Sequence, residues 1–537
     1  MISRVHSSIL QGIDAIGCEV EADVAIGGQG EIKLVGMAEV AVKESVSRIQ
    51  AALRNSGYRW PGPKVTINLA PADVKKESAA LDLPIAIAVC LAGGTFTTEK
   101  IDDYLIAGEL ALDGRVRAVK GALATAILAA AEEKRGVIVP ADNAAEAAVV
   151  DGIDVVAVSC LTEAVGFLTD QLPIEPTVVD LEQAFATAER YSDDFADVRG
   201  QESAKRALTV AAAGHHNILM IGPPGAGKTM LAKRIPTILP PLGLAESLET
   251  TRVYSARGLL GRAQSLMAVR PVRTPHHSTS SAALIGGGAI PQPGEVSLAH
   301  HGVLFLDEFP EFARATLEMI RQPLEDGWVI IPRVHSTMRF PAAIMLVAAM
   351  NPCPCGYMTD PKRQCNCTPN AIERYLSRVS GPLIDRIDIH VEVPPVPWRQ
   401  LRGGGSDGRT SQQMRQQVTA ARKVQRRRFG RHKGREENTP KSDRTQQVTA
   451  ARTGNLKSSE TTTNATMSSR QIRRFCKLDS PGEALLKQAM TELGLSARAH
   501  NKVLRIARTI ADLEGVEDIE AYHLAEAIQY RRLDRKF

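Results

Sequence analysis

The chain contains the segment Asn217-Ile-Leu-Met-Ile-Gly222-Pro-Pro-Gly-Ala-Gly-Lys228-Thr229, in which an apolar run meets a glycine-rich turn. The turn fits the P-loop pattern G-x-x-x-x-G-K-[ST], between a predicted strand at Asn217–Ile221 and a helix predicted to begin near Met230. Glycines let successive backbone N–H groups face phosphate oxygens, and the helix N-terminus adds partial positive charge. The Lys228 ammonium would neutralise the β- and γ-phosphates, and the Thr229 hydroxyl would ligate Mg²⁺. The segment therefore predicts a nucleoside triphosphate site in an α/β fold.

Two further predicted strands end in polar residues that would complete this site. The first, at Val303–Leu306, is followed by Asp307 and Glu308; Asp307 would lie beside the Mg²⁺ and Glu308 would polarise the attacking water. The second, at Ile344–Ala349, leads to Asn351, which would orient that water or sense the γ-phosphate; a turn before proline is the alternative. The predicted catalytic residues are Glu308, Lys228 and Asn351, and the predicted nucleotide-binding residues are Gly222, Pro223, Pro224, Gly225, Ala226, Gly227, Lys228, Thr229 and Asp307.

The composition is typical of a soluble protein with several domains. The chain has 537 residues, too many for one hydrophobic core, and 44% of them are hydrophobic. This composition excludes wholesale disorder, a collagen-like repeat and a disulfide scaffold. No apolar run reaches the roughly 18–20 residues that a membrane span needs, and the first residues show no secretory hydrophobic region. We expect a cytoplasmic protein with no membrane partner.

Strand-like and helical runs alternate along much of the chain, which predicts an α/β protein. Near the N-terminus the predicted elements are strands at Val20–Ile26 and Val65–Leu69 and helices at Ala38–Leu53, Leu81–Leu91 and Ala122–Ala131. We divide the chain into an N-terminal α+β domain (1–170), a linker (171–195), a P-loop domain with a parallel sheet (196–398), a basic flexible segment (399–470) and a C-terminal helical region (471–537).

Positive charge is concentrated in the basic segment. Between Arg399 and Arg474 there are 19 Lys and Arg residues against 5 Asp and Glu, whereas the whole chain carries a net charge of only +5. A heptapeptide, Gln-Gln-Val-Thr-Ala-Ala-Arg, occurs at Gln416–Arg422 and again at Gln446–Arg452, which indicates a local duplication. A nucleic-acid partner and a solvated insertion that keeps the chain soluble explain the charge equally well.

Four cysteines lie close together in sequence: Cys353, Cys355, Cys365 and Cys367. Two closely spaced pairs can converge on a tetrahedral Cys₄ site, and thiolates suit Zn²⁺ in a reducing compartment. The spacing within each pair is C-x-C and not the more usual C-x₂-C. A structural zinc is the favoured interpretation. Redox-active disulfides, an iron–sulfur cluster and unligated thiols are the alternatives.

The motifs together resemble those of a known family. The P-loop and the acidic strand, with Arg273-Thr-Pro-His276-His277-Ser278 and Ala349-Met-Asn351-Pro-Cys353-Pro-Cys355-Gly356, resemble the magnesium-chelatase-like AAA+ proteins, and within them the ComM/YifB family. The resemblance covers nearly the whole chain except the duplication. It implies an AAA+ αβα core with a C-terminal helical lid, and ATP and Mg²⁺ as cofactors. It gives His276 and His277 a structural or nucleic-acid-contacting role.

The resemblance also assigns roles to several basic residues. Arg386, in Leu-Ile-Asp-Arg-Ile-Asp, resembles the arginine finger that a neighbouring subunit inserts into the ATP site, which implies a ring, and the family points to a homo-hexamer. Arg498, in Leu-Ser-Ala-Arg-Ala, resembles the sensor arginine of the lid. Arg333, His335 and Arg339 lie on a predicted hairpin that such rings often place in the pore; an exposed hairpin is the alternative.

The N-terminal domain resembles the Lon protease domain. Lys76-Glu-Ser-Ala-Ala-Leu-Asp82 stands where that domain carries K-D-G-P-S-A-G, and Gly108–Val116 resembles its following strand pair. Ala80 occupies the position of the nucleophilic serine, and Leu123 that of its partner lysine. Without a Ser–Lys pair there is no activated nucleophile. We therefore predict a scaffold or DNA-engaging platform and no protease activity.

The resemblance implies an ATP-driven DNA motor: a ring helicase that drives branch migration of recombination intermediates, as in natural transformation, with single-stranded, forked or branched DNA as partner. The alternative is the ATPase subunit of a metal-chelatase-like remodelling complex, which the motor motifs alone do not distinguish. The Lon-like domain, the cysteines and the basic segment favour DNA. An ATP-dependent protease is disfavoured by Ala80 and Leu123, and a non-hydrolysing scaffold by the presence of Lys228 and Glu308.

Overall fold

The computed structural model describes residues 2–25, 31–36, 40–76, 79–187, 191–261, 264–288, 291–333, 337–397, 409–430 and 463–531. Within these ranges the chain forms two compact units. The first unit contains the described residues up to position 187 together with those between Gly243 and Ala268, and the second contains the rest. No helix in the described ranges is long and apolar enough to cross a membrane.

The first unit is an α+β structure with two sheets and a short hairpin. Its strands are β1 (Ile2–Gln11), β2 (Asp14–Ala25), β3 (Glu31–Val35), β4 (Lys64–Ala70), β5 (Tyr104–Ile106), β6 (Glu109–Leu110), β7 (Val116–Arg117), β8 (Gly136–Pro140) and β9 (Asp154–Val158). Its helices up to position 187 are α1 (Val40–Asn55), α2 (Asp82–Ala92), α3 (Ala122–Ala131), α4 (Ala141–Ala147), α5 (Leu161–Leu168) and α6 (Leu181–Thr187). The sheets have the orders β1-β2-β4-β3 and β5-β8-β9, and β6 pairs with β7.

The sequence predictions for this unit agree with the structure because its apolar patterns are regular. In β4, Val65, Ile67 and Leu69 are fully buried and alternate with more exposed residues, as expected of a strand with one face in the core. The continuous apolar run in α2 is buried on almost every side. The strands predicted at Val20–Ile26 and Val65–Leu69 correspond to β2 and β4.

The second unit is built around a five-stranded parallel sheet. The remaining strands of the chain are β10 (Ile218–Ile221), β11 (Val272–Arg273), β12 (Gly286–Gly287), β13 (Gln292–Pro293), β14 (Val303–Leu306), β15 (Trp328–Pro332), β16 (Thr337–Pro341), β17 (Met345–Met350) and β18 (Ile389–Glu392). The order in the parallel sheet is β11-β14-β17-β10-β18, so the strand that precedes the P-loop lies between β17 and β18. This confirms the predicted parallel sheet and places the carboxyl ends of β10, β14 and β17 along one edge.

Helices connect these strands and continue after the sheet. They are α7 (Glu202–Gly214), α8 (Lys228–Ile238), α9 (Leu244–Arg257), α10 (Ser281–Ile285), α11 (Glu295–Leu298), α12 (Arg314–Met319), α13 (Arg321–Asp326), α14 (Pro369–Leu376), α15 (Gly381–Ile384), α16 (Ser411–Gly430), α17 (Ser469–Phe475), α18 (Ser480–Leu493), α19 (Ala497–Glu514) and α20 (Ala521–Gln529). The predicted C-terminal helical region corresponds to α17–α20.

Helix α9 belongs to the first unit although it follows α8 of the second along the chain. Residues Gly243–Ala268 cluster with the first unit, and the backbone N–H of Gly121 donates to the carbonyl of Ser255, at 3.2 Å. The P-loop domain predicted at 196–398 therefore has to be corrected, because it includes this stretch. The insertion has no signature in the sequence, because contacts between distant parts of the chain leave no local change in composition.

Helix α16 corrects part of the prediction that residues 399–470 form a flexible segment, namely residues 411–430. Met414, Val418 and Ala421 are fully buried on one side of the helix, and the Gln425 amide donates to the carbonyl of Ala213 at 3.1 Å. Spacings of three and four residues put these side chains on a single face, but the many charges around them mask that face in the sequence. The first copy of the duplicated heptapeptide lies in α16, and the second lies outside the described residues.

A buried polar network joins the C-terminal helices to the sheet. The Lys502 ammonium of α19 lies 2.9 Å from one Asp388 oxygen, and His216 Nδ1 lies 3.3 Å from the other. Burial alone would raise the pKa of Asp388, but Lys502 and His216 hold it well below its usual range. His216 Nε2 also lies 2.9 Å from the hydroxyl of Thr509. The network ties α19 to the residue that precedes β18.

Replacing Met414 with alanine tests whether α16 is an integral part of the second unit. Met414 is fully buried, so we expect the Met414→Ala variant to lose about 2–5 kcal/mol of unfolding free energy and to melt at a lower temperature. Gln412→Ala, at an exposed position of the same helix, is the matched control. Equal melting temperatures for the two variants, measured by circular dichroism, would show that α16 does not contribute to the core.

Candidate active site

The P-loop forms a tight turn between β10 and α8. Gly225 and Gly227 have φ angles of +77° and +92°, in the left-handed region that glycine adopts without strain. A Cβ at either position would meet no atom within 4 Å, so the backbone conformation and not crowding requires glycine. Gly227 is the N-cap of α8, and no described side chain caps it. The first N–H groups of the helix are therefore available to an anion.

Lys228 is held at the centre of this loop by neutral oxygens. Its ammonium donates to the carbonyls of Gly222 and Pro223, at 2.6 and 3.0 Å, and to Asn351 Oδ1, at 3.1 Å. Burial lowers the pKa of Lys228, and the Asp307 carboxylate opposes this shift. These hydrogen bonds fix the ammonium beside the loop without neutralising its charge. The arrangement suits the binding of phosphate oxygens.

Thr229 and Asp307 are arranged as a pair of magnesium ligands would be. The Thr229 hydroxyl donates to Asp307 Oδ2 at 2.6 Å, and the backbone N–H of Glu308 donates to Asp307 Oδ1 at 2.9 Å. Adjacent oxygen ligands of an octahedral Mg²⁺, each about 2.1 Å from the ion, lie about 3 Å apart. The hydroxyl and the carboxylate therefore fit an Mg²⁺ site with a small outward adjustment.

Glu308 is held by His277, for which a structural or nucleic-acid-contacting role is predicted. Glu308 has a left-handed φ of +51°, and its Oε2 lies 3.1 Å from Nδ1 of His277. The His277 ring packs edge-on against Phe312, with centroids 6.5 Å apart. His277 follows β11, which pairs with β14, so neighbouring strands bring the two residues together. Nothing in the sequence revealed this contact, because 31 positions separate the residues.

Asn217, which immediately precedes β10, links three segments at the sheet edge opposite the P-loop. Its Oδ1 accepts from the backbone N–H of Leu346 in β17, at 2.8 Å, and its Nδ2 donates to the carbonyl of Arg386, at 3.3 Å. From its sequence context, Asn217 is predicted only to be the first residue of a strand. The structure shows that its side chain joins the P-loop strand to β17 and to the segment that carries Arg386.

The two predicted catalytic arginines do not contact the P-loop in the described part of the chain. Arg386 is paired with Glu325 of α13, and only 11% of its side chain is exposed. Arg498 is exposed in the first turn of α19. Lys228 is hydrogen-bonded to Asn351, and Thr229 to Asp307, which Glu308 directly follows. The two arginines lie outside these pairs.

The predicted hairpin at Trp328–Phe340 is formed by β15 and β16, which pair in antiparallel register. The Arg339 guanidinium stacks over the Trp328 ring, 4.9 Å from its centroid. Arg333 donates to the carbonyl of Gly288 at 2.6 Å. His335, the third predicted residue, lies outside the described residues.

The four clustered cysteines converge immediately after Asn351. Their sulfur atoms all lie within 4.8 Å of one another, with Cys353 Sγ 3.4 Å from Cys355 Sγ and both of these 3.6 Å from Cys365 Sγ. The backbone N–H of Cys355 donates to Cys367 Sγ at 3.4 Å. A disulfide needs a sulfur–sulfur distance of about 2.05 Å, and all four thiols are free. The spacing is close to the edge of about 3.8 Å expected for a ZnS₄ tetrahedron with Zn–S bonds of about 2.3 Å.

Comparison with known proteins assigns the family. Models for magnesium chelatase subunit ChlI match residues 194–401, 20–143 and 408–531, the last of these being the model of its C-terminal region. The chain is 41% identical over 538 residues to competence protein ComM of Haemophilus influenzae, covering 99% of this chain and 98% of ComM. The chain belongs to the ComM/YifB family of magnesium-chelatase-like AAA+ proteins. Uncharacterized protein YifB of Escherichia coli is also 41% identical over 538 residues, with the same coverage.

Membership of the ComM/YifB family indicates the activity of the P-loop site. The magnesium-chelatase AAA+ family implies ATPase activity with ATP and Mg²⁺. The P-loop lysine, the Thr229–Asp307 pair and the neighbouring Glu308 supply groups of the kinds that this chemistry uses. The geometry of the site and the family therefore both indicate ATP with Mg²⁺ as the ligand.

The first unit is similar to Lon protease but has apolar residues at the two predicted catalytic positions. The chain is 31% identical over 154 residues to Lon protease 2 of Bacillus subtilis, covering 26% of this chain and 27% of that protein. Ala80 is 8% exposed, and Leu123 is fully buried in α3. Ser78, the nearest hydroxyl in sequence, lies outside the described residues. Neither an alanine nor a leucine side chain can act as nucleophile or base.

Replacing His277 tests whether it positions Glu308. We expect His277→Ala to lower the kcat of ATP hydrolysis by about tenfold to a hundredfold, because a misplaced carboxylate no longer aligns the attacking water. Nucleotide affinity should be unchanged, since His277 contacts Glu308 and not the P-loop. His6→Ala is the control, because His6 lies in β1 of the first unit and pairs with Asp102 at 3.1 Å. A kcat equal to that of the wild type would exclude the positioning role.

Proposed function

We propose that this chain is an ATP-driven DNA motor, a ring helicase that drives branch migration of recombination intermediates. Its full-length similarity to competence protein ComM carries this proposal, because competence for natural transformation ends in the joining of incoming DNA to the chromosome. The DNA partner would be single-stranded, forked or branched. A motor that consumes ATP on chromosomal DNA works in the cytoplasm, where we expect the protein to reside.

The ATP site supports the hydrolytic step of such a motor. Lys228 would neutralise the β- and γ-phosphates, and Thr229 and Asp307 would hold Mg²⁺. Glu308 would polarise the attacking water, with its orientation set by His277. Asn351, bonded to the Lys228 ammonium, would sense the γ-phosphate.

A homo-hexameric ring would complete the site. Arg386 would act as the arginine finger of a neighbouring subunit, and Arg498 as the sensor arginine of the lid. The pair between Arg386 and Glu325 has to open before the guanidinium can reach a phosphate. In the proposed cycle, assembly and nucleotide binding would offer the arginine a stronger partner, since a guanidinium binds phosphate through charge-assisted hydrogen bonds.

Helix α16 provides a candidate surface for the DNA backbone. It carries six Lys and Arg residues and no Asp or Glu. Lys423, Arg426 and Arg427 are exposed, whereas Arg428 is turned inward to Asp512. A row of cations on one exposed face binds phosphates without reading bases, which suits a motor that moves along any sequence.

The alternative function is the ATPase subunit of a metal-chelatase-like remodelling complex. The match of the magnesium-chelatase models to three long segments favours it. A chelatase subunit would act on a protein partner and would not respond to DNA, so DNA dependence of ATP turnover separates the two functions.

We further propose a structural Zn²⁺ on Cys353, Cys355, Cys365 and Cys367. The sulfur spacing and the N–H to sulfur hydrogen bond from Cys355 to Cys367 support it, since backbone amides commonly stabilise ligating thiolates. All four ligands would come from the protein, so the ion would have no open position for catalysis.

The motor is tested by ATP hydrolysis with and without DNA. We expect single-stranded and forked DNA to stimulate turnover several-fold at low salt, and Glu308→Gln to lower kcat by at least about a hundredfold while nucleotide still binds. Glu311→Gln, which changes an exposed acidic side chain that pairs with Arg378, is the control. Turnover that ignores every DNA structure would contradict the helicase and favour the chelatase-like function.

The α16 surface is tested by a triple variant. Replacing Lys423, Arg426 and Arg427 with alanine should weaken DNA binding and reduce the slope of log affinity against log salt by up to about 2–3, because each lost phosphate contact removes nearly one released counterion. DNA-independent ATP hydrolysis should be unchanged. Fluorescence anisotropy with labelled single-stranded DNA at several salt concentrations measures both quantities. An unaltered slope would place the DNA contacts elsewhere.

A further inference from the structure

The loop that carries the four cysteines also contacts the ATP site. Gly356, the residue after Cys355, is buried with a φ of +82°. A Cβ at this position would lie 2.6 Å from Cδ of Pro224 in the P-loop and 3.7 Å from Cγ of Asn351. Only a glycine lets the cysteine loop approach the P-loop this closely.

Asn351, which immediately precedes the cysteine loop, is hydrogen-bonded to Lys228 and to Tyr375 of the helix that follows the loop. Asn351 immediately precedes the loop, and its side chain accepts from the Lys228 ammonium. Helix α14 begins directly after Cys367 and its N-cap Thr368, and it carries Tyr375. Burial raises the pKa of Tyr375 to about 12, although the backbone N–H of Asn351 donates to its hydroxyl and opposes that shift.

We infer that zinc in the Cys₄ site and nucleotide in the P-loop bind cooperatively, because the zinc-closed loop supports Pro224 and Asn351. This inference rests on the proposed function of the ATP site and on the proposed zinc. Four bonds from one ion would fix the path of residues 353–367, which contain no helix or strand. Without that constraint the chain would sample other paths. Gly356 would lose its position against Pro224, and Asn351 its position beside Lys228.

Thermodynamic linkage makes this inference quantitative. If zinc tightens MgADP binding by some factor, MgADP must tighten zinc binding by the same factor. Couplings between sites are typically about fivefold or more, which is well within measurement. Recovery of the MgADP affinity when zinc is restored separates reversible coupling from irreversible damage to the fold, which would not recover.

The first experiment measures both factors on the full-length protein. Zinc content is determined by elemental analysis, and zinc affinity by competition with a chromogenic chelator in the presence and absence of saturating MgADP. MgADP affinity is measured with a fluorescent analogue before zinc removal, after removal and after zinc is restored. We expect equal factors of about fivefold or more in the two directions, and a factor of one in either direction would overturn the inference.

The second experiment separates the contact from the metal. Gly356→Ala should retain zinc but bind MgADP about fivefold more weakly, because its methyl group would press on Pro224. Gly515→Ala is the matched control, with a φ of +76° and no atom within 4 Å of its Cβ, and it should change affinity by less than about twofold. Equal affinities for the two variants would refute the contact, and circular dichroism checks that both fold.

The outcomes distinguish this inference from the proposed function. Lys228→Ala should abolish MgADP binding, and a wild-type protein that binds nucleotide no better than this variant would contradict the ATP site itself. A protein that binds nucleotide through Lys228 but holds no zinc, or holds zinc without coupling, would contradict only the inference. Cys365→Ser, which removes one ligand, should reproduce the zinc-free affinity, and Cys476→Ser, at a buried cysteine outside the cluster, should not.

Discussion

The parallel pairing of β10 with β17 is the constraint on which the rest of the site depends. Ile221 pairs with Met350, and the N–H of Gly222 donates to the Met350 carbonyl. This register brings the residue after Met350 beside the P-loop, so Asn351 meets the Lys228 ammonium. All residues of both strands are buried, and a shift of one position would turn their side chains to the opposite faces of the sheet. Core packing therefore sets the distances between the polar groups.

The same sheet edge brings together three chemically different groups: the carboxylates that follow β14, the His277 imidazole and the cysteine loop. β14, on the far side of β17, is followed by Asp307 and Glu308, and Asp307 accepts a hydrogen bond from Thr229. β11 adds His277, and the chain after β17 turns at once into the cysteine loop. Each of these segments is short and has no fixed conformation by itself. They lie close together because the neighbouring parallel strands that precede them end at one edge of the sheet. If our proposals hold, loss of zinc from the cysteine loop would weaken nucleotide binding, because Asn351 and Pro224 would lose their support.

The sequence was sufficient wherever a local pattern has a single physical solution. The P-loop, the strand β14 that precedes Asp307 and Glu308, and the amphipathic strand β4 were predicted with nearly the bounds that the structure has. Helix α16 was missed because its buried face, including Met414 and Val418, is surrounded by charge, and composition averages over both faces. The transfer of α9 to the first unit was missed because it depends on a contact with Gly121, more than a hundred positions away.

Local sequence therefore determined the fold class, the ATP-binding loop and the cluster of four cysteines, because glycine conformation, charge and thiol chemistry act over a few residues. The family resemblance added the prediction of a Lon-like domain that lacks the catalytic Ser–Lys pair. Only the tertiary structure decided that His277 holds Glu308, that Arg386 pairs with Glu325 and that Gly356 contacts Pro224. These contacts join residues far apart in the chain, and strand order and register bring them together, so no stretch of sequence contains them.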